Sequence, residues 1–272
     1  MPRPKEGYRN AAGQPIPGTS DITGRFMNRS RLLYWAYNRG KAGHPTLYDD
    51  TALTIGTAVH MMAELDLQDR DQADIDFYLN ATLAAEDDRA KARAAFAAFR
   101  KWRETFHVRA HVQECSLVSE KLQYGGTLDT IAVIRNGLGL LDFKTSASGE
   151  VYEDMVLQLA AYGILWNETH PGQQIDAGYH LIVLPKDGSK PVHREFSETQ
   201  LQPFRSKFWL YRKAYDLDTI CNDPKVLKGD AVKPSPKKPR ASVPKPPPMI
   251  GAATMAEILR NYGHVKPEGV AA

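Results

Sequence analysis

The stretch from Gly125 to Tyr162 constrains this 272-residue chain more than any other. It reads GGTLDTIAVIRNGLGLLDFKTS, followed by a short turn and a helix containing QLAAY. Apolar and polar residues alternate from Thr127 to Arg135, the period of a half-buried strand. Asn136-Gly137 is a two-residue hairpin signal, and Leu138 to Lys144 returns as a second, more apolar strand. Strands joined by so tight a turn run antiparallel, so Asp129 and Asp142 come near each other at one end of the pair. Lys144, two residues past Asp142, shares its face. Asp142 stands inside the apolar run Leu140-Leu141-Asp142-Phe143, where an unpaired carboxylate is costly to bury. Two carboxylates and an ammonium at a strand end suit a divalent cation and an activated water, which would compensate the buried acid. The alternative is a surface hairpin with ordinary charges.

Length suits one sizeable α/β domain with appendages. A hydrophobic fraction of 42% is a little low for a globular chain and fits the presence of a polar tail. No apolar run approaches the roughly 20 residues that span a bilayer, and the N-terminus has no apolar core of a secretory signal. The expectation is a protein without a membrane segment. Cys115 and Cys221 are the only cysteines and lack C-x-x-C spacing, which predicts a reducing, cytoplasmic setting and no iron–sulfur cluster. A net charge of +3 neither proves nor opposes nucleic-acid binding. No G-x-S-x-G elbow or Walker-type loop is present, and Gly125-Gly126 and Gly137/Gly139 read as turn residues.

In chain order, residues 1–19 are rich in Gly, Pro and polar residues and are expected to lack fixed structure. Arg29 to Arg39 reads as a basic, aromatic helix, suited either to a phosphate backbone or to partial burial. Helices follow from Thr51 to about Leu65, Asp71 to about Ala85, and Glu86 to Phe106. The last has an aromatic stripe that reads as core and arginines that read as a solvated face. Val108 to Gln123 is a strand with a bulge, Val151 to Thr169 an amphipathic helix, Ala177 to Leu184 an apolar strand, and Val192 to Phe196 its partner. Glu198 to Asn222 closes the domain as a long helix. Residues 223–250 are Pro- and Lys-rich, the composition of an extended linker. In the tail, 251–272, Met255 to Tyr262 reads as a short helix.

G-x-L-D, a hairpin, D-F-K-T and a helix with Q-x-x-x-Y together resemble the core of PD-(D/E)XK nucleases, closest to the RecB-like and exonuclease VIII-like branch that includes phage recombination exonucleases. An upstream helix with G-x-x-x-H belongs to the same pattern, and Gly56 to His60 supplies it. The resemblance implies a metal-dependent DNA nuclease, most simply an exonuclease acting at DNA ends. A site-specific endonuclease and a non-catalytic DNA-binding module on the same fold are the alternatives. It implies Mg²⁺ or Mn²⁺ on His60, Asp129, Asp142 and the Phe143 carbonyl, with Lys144 on the nucleophilic water or the transition state. Gln158 and Tyr162 would hold the site and the strand, and Glu120 is a secondary acidic candidate. A lone helical histidine is more often structural, and His60 gains its metal reading from the acids downstream; Glu64, four residues on, would orient it or remain a solvated acid. The fold expected is α/β, a mixed central sheet of four or five strands flanked by helices, with an N-terminal helical region, the domain running from 20 to 222. DNA is the implied partner, with a single-strand annealing or other recombination protein as a candidate for the C-terminal tail.

Overall fold

The computed structural model describes residues 4, 6–27, 30–43, 50–146 and 149–228. Its elements are β1 (Tyr8–Arg9), β2 (Pro15–Ile16), α1 (Thr19–Phe26), α2 (Ser30–Lys41), α3 (Asp50–Leu67), α4 (Gln72–Thr82), α5 (Glu86–Phe106), β3 (Arg109–Ser119), β4 (Tyr124–Ile134), β5 (Gly137–Ser146), α6 (Glu153–Thr169), β6 (Tyr179–Pro185), β7 (Val192–Phe196), α7 (Glu198–Cys221) and α8 (Pro224–Leu227). The central sheet has five strands in the order β3-β4-β5-β6-β7. Its pairings are antiparallel except β5 with β6, which run parallel because α6 carries the chain back between them. The expected mixed α/β sheet is therefore present.

Helices cover both faces. Leu141, Phe143, Ile182 and Leu184 point into a core shared with α3, α4 and α5, where the Phe96, Phe99 and Trp102 stripe is buried as expected. Leu140, Leu181 and Val183 point the other way, into a core with α1, α6 and α7. Period-2 alternation on β5 and β6 thus feeds two separate cores. Acids open α5 and Arg103 lies in its last turn, both favourable to the helix dipole, and His107 ends it in a left-handed conformation at φ 50°. The α5 arginines are engaged structurally: Arg93 pairs with Glu86 at 2.7 Å and Arg103 with the buried Asp66 at 2.7 Å.

The hairpin turn lies one residue earlier than its sequence suggests. Ile134 pairs with Gly137, so Arg135 and Asn136 form the two-residue loop, both with positive φ, 48° and 68°. That is the signature of a type I′ turn. Gly137 serves another purpose: a Cβ there would meet Asp176 Oδ1 at 2.5 Å, and that carboxylate accepts the Leu138 N–H at 2.6 Å.

Two terminal expectations are corrected. Residues 6–18 are ordered, as β1 and β2 pair into a small hairpin packed on β4. Tyr8 is buried, its hydroxyl 2.9 Å from Thr127 Oγ1, and its ring lies where a Cβ on Gly125 would stand, at 2.3 Å. Composition predicted disorder because the surface that buries Tyr8 comes from far along the chain. Gly125 and Gly126 are accordingly strand residues that make room, not turn residues. At the other end, 223–228 form a short helical turn, capped by Asp223, whose Oδ1 accepts the Lys225 N–H at 2.8 Å, with Pro224 at the first helical position. The remainder of the linker and the tail lie outside the described residues.

The sheet does not stay whole. β4 and β5 pair from Ile134↔Gly137 to Thr130↔Leu141 and no further. Beyond that point β4 continues beside β3 to Tyr124, while β5 continues beside β6 to Ser146. The sheet forks, and the first residue of each strand inside the fork is an aspartate, Asp129 and Asp142. Close packing holds the fork: a Cβ on Gly126 would meet Tyr162 Cε1 at 2.7 Å and Leu165 Cδ1 at 2.8 Å. Gly126→Val is expected to cost about 1–3 kcal/mol through overpacking, read as a lower urea midpoint at unchanged slope; an unchanged midpoint would contradict this packing.

Candidate active site

Four elements place the site. Asp129 comes from β4, Asp142, Phe143 and Lys144 from β5, His60 from α3, and Gln158 and Tyr162 from α6. Asp142 has no exposed surface. Lys144 Nζ lies 2.6 Å from its Oδ2 as an ion pair, and apart from that lysine neither carboxylate oxygen has a polar partner among the described residues. Asp129 Oδ2 accepts the Phe143 N–H at 2.8 Å, which is the donor the β4–β5 ladder would have used had it continued. The same oxygen is 3.8 Å from His60 Nδ1. On the α6 side Gln158 Nε2 donates to the Tyr162 hydroxyl at 2.5 Å. The expected group of His60, Asp129, Asp142, Phe143, Lys144, Gln158 and Tyr162 thus assembles around the fork.

Electrostatics follow from burial. Desolvation pushes the Asp142 carboxyl up from 3.8 to about 7; the Lys144 charge pulls it down and Asp129 adds to the rise. Burial opposes the charge on Lys144, yet Asp142 and Asp129 outweigh it and hold the ammonium above its ordinary range. His60 is lowered, chiefly by burial, although Asp129 raises it and the Phe143 backbone hydrogen bond raises it further. A neutral imidazole against a carboxylate is a ligand-competent pair rather than an ion pair. Burial, then Asp142 and Asp129, push Tyr162 well above 10, so it remains a phenol able to donate.

A cation fits this chemistry. A fully buried carboxylate needs positive charge around it, and the one lysine touches a single oxygen of Asp142 while Asp129 adds a second negative charge beside it. Among the described residues, however, no three His, Cys, Asp or Glu side chains already converge with metal-ligand spacing. Asp129 is turned to the Phe143 N–H, and the Phe143 backbone is engaged with His60.

Glu120 does not belong to the site. Its Oε1 accepts the Ala11 N–H at 2.7 Å and its Oε2 lies 3.3 Å from Gln123 Nε2, bracing the N-terminal hairpin beyond the end of β3. Glu64 accepts from Gln68 Nε2 at 3.3 Å. Sequence reasoning overlooked Glu114 instead. It stands between Gln113 and Cys115, which pair with Thr130 and Leu128, and so lies opposite Asp129. Its backbone is left-handed at φ 49°, and burial pushes its carboxyl up, with Asp129 and Glu64 adding to the rise. The signal was present: an acid at the one β3 position that faces the motif aspartate.

No family model matches the chain. It is similar to Mitochondrial genome maintenance exonuclease 1 of Xenopus tropicalis, 35% identical over 104 residues, which is 36% of this chain and 29% of that protein. The Mus musculus protein of the same name is 35% identical over 101 residues, 35% of this chain and 28% of it. The Homo sapiens one is 33% identical over 104 residues, 36% of this chain and 30% of it. The chain thus matches under a third of the length of these relatives. A solved structure from Eubacterium rectale overlaps 71% of this chain and 74% of its own at 12% identity and a TM-score of 0.42. Among the described residues no helix is long and apolar enough to cross a membrane.

Burial raises the Asp142 carboxyl from 3.8 to about 7 in the folded chain, so its protonated form contributes stability that is fully present below 3.8 and lost as pH rises to about 7. A cation that takes the proton's place restores it. The Tm gain on adding Mn²⁺ to EDTA-treated protein is expected to be larger at about pH 8 than at about pH 6; a gain independent of pH would contradict the assignment.

Proposed function

We propose that this chain is a divalent-cation-dependent deoxyribonuclease of the PD-(D/E)XK kind, in its RecB-like and exonuclease VIII-like branch, acting as an exonuclease at DNA ends. The observation that carries the reading is the buried Asp142 with Lys144 at 2.6 Å, set beside Asp129 and His60 where the sheet forks. Similarity to proteins named as exonucleases supports it over the matched third of the chain.

Mg²⁺ or Mn²⁺, held by Asp129 and Asp142 with His60 and the Phe143 carbonyl, would supply an acidified water and a polarised phosphate. The chain's own groups do the rest. To hold the ion, Asp129 would release the Phe143 N–H and Asp142 its close contact with Lys144. Lys144, kept charged by the two acids, then faces the phosphate and stabilises the charge that builds on it. Tyr162 stays protonated and is fixed by Gln158, so it donates to a phosphate oxygen and sets the strand's position. Phage-type recombination is the setting the resemblance favours.

The DNA surface extends to α2. Leu33, Tyr34 and Tyr37 are exposed by 68%, 69% and 65%, and Trp35 lies beneath the Arg39 guanidinium at 5.1 Å from its ring centroid. From Ile22 to Tyr48 the sequence contains Arg25, Arg29, Arg31, Arg39 and Lys41 and no acid. Outward aromatics among cations favour the phosphate-and-base reading of this helix over partial burial.

Lys144→Ala is expected to lower Mn²⁺-dependent cleavage of end-labelled linear duplex by about 10²-fold or more, with DNA affinity nearly unchanged. Full cleavage by this variant, or by Asp142→Asn, would overturn the assignment. Products released from free ends but not from covalently closed plasmid distinguish exonuclease from endonuclease. Tyr34→Ala and Trp35→Ala are each expected to weaken DNA binding by about 1–3 kcal/mol in a fluorescence anisotropy titration; unchanged affinity in both would remove α2 from the DNA surface.

A further inference from the structure

Among the described residues nothing covers the apolar outer face of α7. Trp209, Leu210, Leu217 and Ile220 are exposed by 41%, 57%, 62% and 55%. At about 100° per residue these four fall within roughly a quarter to a third of the helix circumference. Lys213 lies in the same arc and lays its ammonium over the Trp209 ring at 3.6 Å, which shields one side of that patch only. The opposite face of α7 is satisfied, with Leu201 and Phe208 buried in the α6 core. Four large side chains in one stripe exceed the scatter of single exposed apolar residues normal on a surface.

The chain contains a segment written to match. Met255, Ile258, Leu259 and Tyr262 recur at i, i+3, i+4 and i+7, one face of a helix. Thr254 and Glu257 form a capping-box pair ahead of them, and Gly263 stands at the C-cap position. Eight residues are too few for a helix to persist alone in water, so this pattern calls for a surface to lie on. Residues 229–254 connect it to the end of α8, beside the C-terminal end of α7. A Pro-rich tether of that length can span upwards of roughly 30 Å, more than the roughly 17 Å between positions 209 and 220 of a helix.

We propose that residues 255–262 dock as a short helix on the Trp209–Ile220 face of α7 in the same chain. The basic linker then becomes a loop anchored at both ends. Tethering favours this occupant over a second copy, since it presents the segment at roughly millimolar effective concentration. The inference does not depend on the nuclease reading.

Hydrogen exchange on the full chain tests it, with mass measured by light scattering alongside. Amides of 255–262 are expected to exchange at least about tenfold slower than an unstructured peptide, in a monomer and independently of dilution. Leu217→Asp, at an exposed position, and Ile258→Asp, outside the described residues, should each abolish that protection while the amides of β4, β5 and α6 keep theirs. Three results would overturn the proposal: unprotected exchange of 255–262 in the unaltered chain, protection that Leu217→Asp leaves intact, or protection that appears only in a dimer or with an added protein.

Discussion

Burial of the Asp142 carboxylate is the constraint on which the rest of this structure turns. Placing a carboxylate where no solvent reaches costs several kcal/mol even after relaxation. Here the residue on the next strand position of the neighbour is another acid. Lys144 lies close but does not saturate either oxygen, so the fold leaves a net demand for positive charge at one point. Apolar cores on both faces hold that point in place. An acid kept in such surroundings lowers the stability of the fold unless a cation or a proton compensates it.

The fork explains why the site can exist inside a sheet. An unbroken β4–β5 ladder would consume the Phe143 N–H and leave no gap between the strands. Parting after Thr130 and Leu141 gives that N–H to Asp129 instead, which fixes the carboxylate's orientation. Helices then close on the gap from both sides, and glycines set how near they come. A Cβ on Gly56 would meet Thr145 Oγ1 at 2.8 Å, and one on Gly126 would meet Tyr162. Glycine at these two positions lets α3 bring His60, and α6 bring Tyr162, close to the acids without displacing those side chains.

Much of this was legible in the residues. The hairpin, the acid pair, Lys144 and the α5 boundaries follow from local periodicity and turn chemistry, because they are decided by neighbours in sequence. What depended on distant partners was not legible. Residues 6–18 look like a loose N-terminus until Gly125 offers a slot for Tyr8. Gly137 looks like half of a turn until Asp176 is seen against it. Glu114 lies on β3 and Glu120 just past its end, and only the register with β4 tells which of them faces Asp129; motif position favoured Glu120, and the sheet favours Glu114.

Anomalous diffraction from crystals grown with Mn²⁺ would locate a cation at Asp142. A manganese peak is expected in the β4–β5 fork, bonded to Asp129 and Asp142, with Lys144 Nζ displaced from its contact with Oδ2. Crystals that hold no manganese there, with Asp129 still on the Phe143 N–H and Asp142 still against Lys144, would contradict it.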